Sequence, residues 1–401
     1  MWLTTLACGT VGPDLKHVTT RRADPTPLRR RTHSSPFRSR PRVASLIPLA
    51  ELSPGALGAW RELAADSAEP NPFFEPECVL PAVRYLGEPD AALLAVVDHG
   101  GEWLACMPVL PRLARWHARW PALAGWRHRY AFLGTPLVRR TAVERGTERL
   151  LADAFRTSRF GIIALPWLGA GGPVASGLLG ALRSHGGSPV VERSFRRAIV
   201  TRSAVADGLE GGISPRHRRD LRRSARRLSE VLGGSLELHD RTEEAAGVEA
   251  FMDLEASGWK GELGTAMRSR DADAQFFREL CDGFRVTGRL QMLELGVGDR
   301  TVSYKCNLLA GDAVFCFKIA HDETCGRFRP GLQLELRMLE LFRDHMSQTW
   351  MDSCADPDSP LFEHLWPERR SIGSYVVVDE HHSAVAAIGH SLGHLSTHGE
   401  R

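Results

Sequence analysis

The clearest pattern of hydrophobic and polar positions lies in the last third of the chain. An apolar run over residues 314–320, interrupted only by Lys318, predicts a β-strand that ends in polar residues. After a short loop, Pro330 fits the first turn of a helix, because its missing N–H costs nothing there. Apolar residues then recur at helical spacing, at Leu332, Leu336, Leu339 and Phe342. The stretch therefore predicts a strand, a loop and a helix in direct succession.

The same kind of pattern divides the chain into two similar halves. The element order β-α-α-β-β-β-α-β-α-β is predicted over residues 44–201 and again over residues 234–378. We therefore predict an α/β protein with mixed sheets, built from two tandem units of one fold. Residues 202–233 between them contain a helix with seven arginines over 216–231. The arginine face of this bridging helix is either solvated or turned towards phosphate on a ligand or nucleic acid.

Composition narrows the class of protein. The 401-residue chain is 43% hydrophobic and 25% charged, which is typical of a globular protein in water. No apolar run reaches the ~20 residues that cross a bilayer, so we expect no transmembrane segment. The beginning of the chain lacks the basic region of a signal peptide. Eight scattered cysteines without a C-x-x-C pair favour a reduced, cytoplasmic protein.

Charge is distributed unevenly along the chain. Residues 1–43 carry nine basic and two acidic residues, a net charge of +7, whereas the whole chain carries +3. The remainder is therefore mildly acidic, at −4. This basic leader is rich in Arg, Pro, Ser and Thr and is predicted to be disordered, as is the tail at 379–401. Contact of the leader with nucleic acid or an anionic membrane surface is the alternative.

The start of the helix at Pro330 is a candidate anion site. The first amides of a helix lack intrahelical partners, and the helix dipole favours negative charge there. We expect the N–H groups of Gly331, Leu332 and Gln333 to hold a phosphate-bearing ligand, and Arg327 and Arg329 to add charge-assisted bonds. The alternative is an ordinary strand–loop–helix connection that binds nothing.

Several short motifs between residues 44 and 378, together with the element order, resemble one family. They are Asn71-Pro72-Phe73-Phe74, Gly134-Thr135-Pro136, Gly258-Trp259-Lys260-Gly261, Phe317-Lys318-Ile319-Ala320 and Asp352-Ser353-Cys354-Ala355. In this order they resemble the tandem GNAT acyltransferases known as CelD-like, or cellulose-biosynthesis-associated, acetyltransferases. They also look like the Fem-type aminoacyl transferases, which share the tandem fold.

This resemblance implies a function. It implies an enzyme that moves an acyl group from acyl-CoA, such as acetyl-CoA, to an amine or hydroxyl of a cell-envelope or exopolysaccharide-related acceptor, with no metal. The pyrophosphate of coenzyme A would lie on the helix start at Gly331. Two alternatives stay open: a Fem-type transferase that uses aminoacyl-tRNA, and a non-catalytic scaffold in polysaccharide biosynthesis. Nucleic acid is a partner only under the first of these.

Acyl transfer needs a base, a polarised carbonyl and a protonated leaving group. Asp322, just past the predicted strand, is our candidate base, and Lys318 and Asp352 are the other catalytic candidates. For Lys318 and Asp322 the alternative is a structural ion pair.

Three further residues are predicted to bind the acceptor. Trp259 and Lys260 follow the first helix of the second unit, where the resemblance places the acceptor site; Trp259 is alternatively a core residue at a helix end. Lys305, on a middle strand, is expected to face a cleft or solvent. The cysteine spacings match no zinc-binding motif.

Overall fold

A computed structural model describes residues 45–110, 122–187, 189–206, 215–357, 359–363 and 365–379. The predicted basic leader, and the predicted tail beyond residue 379, lie outside these described residues.

The described residues form strands and helices in an order close to the predicted repeat. The strands are β1 (Ser45–Pro48), β2 (Ala92–Val97), β3 (Trp103–Leu110), β4 (Leu123–Gly125), β5 (Leu137–Val138), β6 (Ile162–Gly169), β7 (Val190–Thr201), β8 (Glu237–Asp240), β9 (Leu290–Val297), β10 (Arg300–Ala310), β11 (Ala313–His321), β12 (Trp350–Asp352) and β13 (Glu368–Val378). The helices are α1 (Pro54–Ala65), α2 (Pro76–Leu86), α3 (Val143–Thr157), α4 (Pro173–Ser184), α5 (Arg202–Ala206), α6 (Pro215–Leu232), α7 (Ala245–Ala256), α8 (Trp259–Glu262), α9 (Asp271–Val286), α10 (Pro330–His345) and α11 (Pro360–Glu363).

Local sequence explains why these helices begin where they do. At α1, the side chain of Ser53 accepts a hydrogen bond from the Ala56 amide at 3.2 Å, and Pro54 occupies the first helical position. The buried face of α1 is formed by Trp60 and Leu63, three residues apart. Polar capping residues and an apolar stripe thus fix both the start of the helix and the face that it buries.

The strands pair into one continuous sheet, in which the two halves exchange their last strands. Its order is β1-β2-β3-β4-β6-β13-β7-β12-β11-β10-β9-β8, with β5 attached to β3. The last strand of the second half, β13, lies between β6 and β7, and β7 in turn pairs with β12. Each half therefore completes its sheet with a strand from the other. The domain boundaries proposed from the sequence stay a prediction.

Aromatic side chains from both halves share one core behind β11. The ring centroid of Phe73, from the first half, lies 5.9 Å from that of Phe315 and 5.5 Å from that of Phe132. On the other side Phe317 lies 5.9 Å from Phe132 and 6.1 Å from Phe277 of α9. Through these contacts β11 packs directly against the first half of the chain. Residues of the first half therefore lie close to the site described below.

A buried ionic contact also joins the halves. Arg289, which precedes β9, bonds to Glu75 and lies 3.4 Å from an oxygen of Glu77, in the first turn of α2. Glu77 also accepts a hydrogen bond from Arg61 at 2.7 Å. Burial raises the pKa of Glu75 to about 7, although Arg289 opposes the rise.

The predicted α/β class with mixed strand pairing is confirmed. The repeated element order differs from the prediction by one additional strand in the first half, β5, and one additional short helix in the second, α8. The exchange of β7 and β13, and a 3-10 helix at Glu323–Phe328, were not foreseen. Among the described helices, none is both long enough and apolar enough to cross a membrane.

Candidate active site

The candidate site lies along an edge of β11 that its neighbour leaves unpaired. β11 pairs with β12 in parallel, but only over Ala313, Val314 and Phe315. The strand continues to His321 while still paired with β10 on its other side. Beyond Phe315, the side of β11 that faces β12 therefore has no strand partner within the described sheet. Its backbone groups are available to side chains or to a ligand.

The segment from α7 to α8 faces this open edge, and two glycines give it its shape. A Cβ on Gly261 would lie 1.8 Å from the carbonyl oxygen of Ala256. A Cβ on Gly258 would lie 2.6 Å from a carboxylate oxygen of Glu323, which also accepts a hydrogen bond from the Trp259 amide at 2.8 Å. The Gly-Trp-Lys-Gly motif is thus explained locally: the glycines permit a tight turn that carries the two side chains to β11.

Glu255, at the end of α7, connects the charged groups of the site. Its side chain is 1% exposed. It accepts hydrogen bonds from Lys260 Nζ and from the Met267 amide, both at 2.8 Å, and its Oε1 lies 3.6 Å from Lys318 Nζ. Burial alone would raise the pKa of Glu255, but the two ammonium groups and the amide outweigh it, so the pKa is lowered. Glu255 is therefore an anion that holds two lysines together.

Lys318 is the more buried of these two lysines. Its side chain is 14% exposed, and its Nζ lies 5.0 Å from the ring centroid of Tyr130, which comes from the first half. Burial lowers the pKa of Lys318, and attraction to Glu255 only partly offsets this. Burial also raises the pKa of Tyr130 to about 12, so its hydroxyl stays protonated at neutral pH. Lys318 thus carries a poorly hydrated ammonium group whose pKa responds to burial and to neighbouring charges.

A pocket of about 160 Å³ lies beside this group. Its lining includes Glu255, Trp259, Lys260, Ile319, His321 and Glu323. Lys260 Nζ also lies 3.5 Å from the Ile319 carbonyl oxygen, which shows that the pocket borders the open edge of β11. The side chain of Trp259 is 51% exposed, so the alternative of a core residue is wrong. Its accessible ring can stack on a flat or sugar-like group.

The lysine content of the chain draws attention to the same place. Of the 51 basic residues only four are lysines: Lys16, Lys260, Lys305 and Lys318. Arginine serves at every other position, yet three lysines fall within sixty residues, two of them on Glu255. Ammonium and guanidinium groups differ in hydration and in how readily burial shifts their pKa. The presence of lysine at these positions fits a role that needs an ammonium group.

The structure places Asp322 in a capping role. Its Oδ1 accepts hydrogen bonds from the amide and hydroxyl of Thr324 at 2.9 and 2.6 Å, at the start of the 3-10 helix. Its Oδ2 lies 3.0 Å from Arg300. Although burial pushes its pKa upward, the bonds from Thr324 and Arg300 lower the pKa of Asp322. The alternative of an ion pair with Lys318 is not found among the ion pairs of the described residues, and the role of base stays a prediction.

Two other predicted residues are enclosed in the interior. Lys305, expected to face a cleft or solvent, is instead 1% exposed and forms an ion pair with Glu335 of α10; the expectation of exposure was wrong. Asp352 is fully buried; it accepts a hydrogen bond from Arg370 at 3.1 Å and one from the Cys354 amide at 2.8 Å. Neither residue lines the pocket, so the structure does not bring them together with Trp259, Lys260 and Lys318.

The helix start predicted to hold coenzyme A does not form a pyrophosphate cradle. The amides of Leu332 and Gln333 both donate to the Arg329 carbonyl, at 3.0 and 3.1 Å. Pro330 has no N–H, which leaves Gly331, itself buried, to supply the one remaining amide of the three predicted. The predicted cofactor-binding residues therefore do not fit a pyrophosphate in this arrangement.

Helix α6 covers the same helix start. The side chain of Gln333 donates to the Leu221 carbonyl at 3.0 Å, and Ser224 donates to the Phe328 carbonyl at 3.0 Å. The Arg327 guanidinium lies on the ring of Phe328, 4.6 Å from its centroid, and Arg329 is exposed. These contacts are made by the protein with itself, which is the alternative that the sequence left open.

A comparison with protein families found one match, in the second half of the chain. Residues 215–354 match the acetyltransferase (GNAT) domain. This part of the chain is similar to a GNAT domain. Its match runs from the start of α6 to the turn after β12 and includes the whole pocket. No curated protein matched the chain.

Solved structures show the same fold over most of the chain. FemX superposes with a TM-score of 0.54 at 12% identity, over 80% of this chain and 95% of FemX. A conserved protein of unknown function from Bacteroides thetaiotaomicron gives a TM-score of 0.52 at 13% identity, over 80% of this chain and 97% of that one. At such low identity these likenesses establish the fold alone. The predicted GNAT-like fold is confirmed, and the CelD-like assignment stays a prediction.

Sequence reasoning assigned no role to three residues near the pocket: Glu255, His321 and Tyr130. A signal for Glu255 existed, because it continues the buried series Val248, Phe251 and Met252 of α7 at helical spacing. An acid at an apolar position requires a charged partner. Tyr130 lies in the other half, and its contact depends on packing between halves that no local pattern reveals.

The described residues contain no group of three or more His, Cys, Asp or Glu side chains placed to hold a metal ion.

Proposed function

We propose that this protein is an acyltransferase whose GNAT domain moves an activated acyl group to an amine or hydroxyl of an acceptor held in the pocket beside β11. The observation that carries the proposal is the position of the pocket, which borders the unpaired edge of β11 and the Glu255–Lys260–Lys318 group. The pocket, the charged side chains and the unpaired strand edge all lie within residues 215–354, which match the GNAT domain.

The charged group supplies electrostatic stabilisation. Acyl transfer passes through a tetrahedral intermediate whose carbonyl oxygen becomes negative. Lys318 and Lys260 provide two ammonium groups held in place by one buried carboxylate. Because Lys318 is largely removed from water, its attraction for a developing oxyanion is stronger than that of a surface lysine.

His321 is our proposed proton acceptor. It lines the pocket at the end of β11, and an imidazole ring is the side chain that enzymes use most often as a general base. It can take the proton that the acceptor amine or hydroxyl loses on attack. Trp259 forms an exposed aromatic wall of the same pocket, suited to a sugar ring of an envelope or exopolysaccharide precursor.

The test measures transfer from acetyl-CoA to amino-sugar and neutral-sugar acceptors, by thiol release and product mass. We expect His321→Gln to lower kcat by about 100-fold or more without weakening acceptor binding. Lys318→Met should lower kcat similarly. His345→Gln, on the exposed end of α10, is the matched control and should leave turnover unchanged. Equal kcat in His321→Gln and the wild type would exclude the proposed base.

A second candidate, an aminoacyl-tRNA-dependent transferase, is favoured by α6. Among its described side chains six arginines are exposed: Arg216, Arg219, Arg222, Arg223, Arg226 and Arg227. An arginine face of this kind fits a phosphate backbone.

The two candidates differ in donor. Under the second, tRNA binding weakens steeply with salt, and the variant with Arg219, Arg223 and Arg226 changed to Gln loses about three units of the log–log salt slope. A wild-type protein that fails to bind tRNA at low salt would eliminate this candidate and leave the first. Failure of transfer from both acyl-CoA and aminoacyl-tRNA would reject the enzyme assignment altogether.

A further inference from the structure

A cluster of arginines lies at the centre of the sheet, where the exchanged strands meet. Arg197 of β7 and Arg370 of β13 are directly opposite each other in the strand register. Arg197 is fully buried. Arg370, whose side chain is 16% exposed, donates to Asp352 Oδ2 at 3.1 Å. Two guanidinium groups from different halves thus meet at one carboxylate.

Two aromatic rings bring further arginines to the same place. The guanidinium of Arg127 lies 4.2 Å from the Trp167 ring centroid, and that of Arg197 lies 5.4 Å from it. The guanidinium of Arg197 is also 5.7 Å from the ring centroid of Phe195, and that of Arg193 lies 5.3 Å from the same centroid. Arg193 is exposed and Arg127 half-buried, so the cluster extends from the surface to the fully buried Arg197.

The hydrogen-bonding capacity of the cluster is largely unused. Among the described residues, no group accepts a hydrogen bond from any of the three buried side-chain nitrogens of Arg197, nor from the buried Nε of Arg127. The contact of Arg197 with Asp352, at 3.5 Å, is an ion pair without hydrogen-bond geometry. Buried guanidinium groups without partners are costly, and native proteins satisfy nearly all such donors.

The carboxylates described beside the cluster offer it limited negative charge. Asp352 is shared between Arg197 and Arg370. A second carboxylate, Glu69, is close enough to Arg370 for the two charges to attract; it accepts a hydrogen bond from the Val174 amide at 2.8 Å. Burial raises the pKa of Glu69, against the effects of that amide and of Arg370, which weakens it as a counter-charge.

We propose that Arg127, Arg197 and Arg370 form a binding site for an oxyanion, a phosphate or carboxylate group of a ligand. Planar guanidinium groups present paired N–H donors that match the oxygens of both groups. The oxyanion accepts hydrogen bonds from the unused N–H groups of Arg197 and Arg127, and its negative charge balances the positive charge of the three guanidinium groups. Trp167 and Phe195 keep the guanidinium planes in place. The site is separate from the pocket beside β11, since the two share no residue.

The test compares inorganic phosphate and acetate with chloride at equal ionic strength, by melting temperature and by calorimetry. We expect phosphate, acetate or both to raise the melting temperature of the wild type by several degrees, as a ligand that binds only the folded state does. Response to both indicates any oxyanion, and response to phosphate alone indicates a phosphate group. Response to neither overturns the proposal.

Variants locate the effect. Arg197→Met removes a buried charge and keeps the bulk, so it should fold and lose the anion response, with at least tenfold weaker binding. Arg196→Gln, the exposed neighbour on β7, is the matched control and should keep the full response. If Arg197→Met does not fold, Arg127→Gln, on a half-buried side chain, serves instead. An unchanged response in these variants, or an equal loss in Arg196→Gln, would show that the anion binds elsewhere.

Discussion

The Nζ atom of Lys318 lies 3.6 Å from Oε1 of Glu255, so a strand and a helix that are far apart in sequence share one buried ion pair. Lys260 completes the group from the helix start next to Glu255. The pair does not need to add stability to be informative. Burying both charges costs free energy that an apolar pair of side chains would not cost. A buried ion pair of this kind therefore suggests that its charges have a functional role.

Removing the carboxylate tests this arrangement. Glu255→Gln should destabilise the fold by about 3 kcal/mol, because it leaves two lysines without their shared anion while removing little volume. It should also lower the pKa of Lys318 further, since attraction to Glu255 opposes the effect of burial. Urea unfolding at pH 7 measures the first effect. Glu249→Gln, on the partly exposed side of α7, is the control and should cost much less.

Glycine substitutions test the turn that carries Trp259 and Lys260. A Cβ on Gly261 would lie 1.8 Å from a backbone oxygen, so Gly261→Ala must shift the turn and should destabilise the protein by more than 1 kcal/mol. In α1, a Cβ on Gly58 meets nothing within 4 Å, so Gly58→Ala should stabilise the protein by about 0.5–1 kcal/mol. Equal effects of the two changes on the unfolding midpoint would contradict the packing around Gly261.

The sequence predicted local structure well and side-chain partners poorly, for a physical reason. The strand and helix on either side of Pro330 follow from periodicity and proline geometry, which act within a few residues. The burial of Lys305 depends instead on Glu335 of α10, and the contact of Lys318 on Glu255 and Tyr130. Such partners are fixed by strand exchange and by packing between the halves.

The helix start at Gly331 shows the same limit. Sequence places a helix there, and free amides at a helix start are expected. In the structure, amides of this helix start already donate to the Arg329 carbonyl, and the Gln333 side chain already donates to α6. The contact with α6 depends on how that arginine-rich helix packs. A local motif predicts that amides begin a helix, and only the tertiary structure shows which of them remain available.

The stability of the protein should depend on pH through Glu75. Its folded pKa, about 7, lies above the ordinary value of 4.5. The protonated carboxyl is thus favoured by folding, and this contribution is present below pH 4.5 and is lost as pH rises through 7. Glu75→Gln, which mimics the protonated form, should therefore gain stability relative to the wild type between pH 5 and 8. Urea midpoints across this range measure the difference, with Glu51→Gln, at an exposed site, as the control. A constant difference across the range would rule out titration of Glu75.

The last prediction separates the two roles that Asp322 can have. As a capping residue, Asp322→Ala should destabilise the protein by about 1 kcal/mol, because Thr324 and Arg300 lose their acceptor. Because its folded pKa is lowered, Asp322 contributes stability above its unfolded pKa, near 4, and loses it as pH falls through the folded value. The loss caused by Asp322→Ala should therefore be clear at pH 7 and should decrease as pH falls below 4.

Turnover decides between the roles. A capping residue leaves kcat within a few-fold once the variant is folded, whereas a general base lowers kcat by 100-fold or more. Asp322→Asn is the sharper variant, because asparagine can still cap the 3-10 helix but cannot accept a proton. Normal turnover by Asp322→Asn supports the capping role and His321 as base. A 100-fold loss, with unfolding in urea unchanged, would restore Asp322 as the base predicted from the sequence.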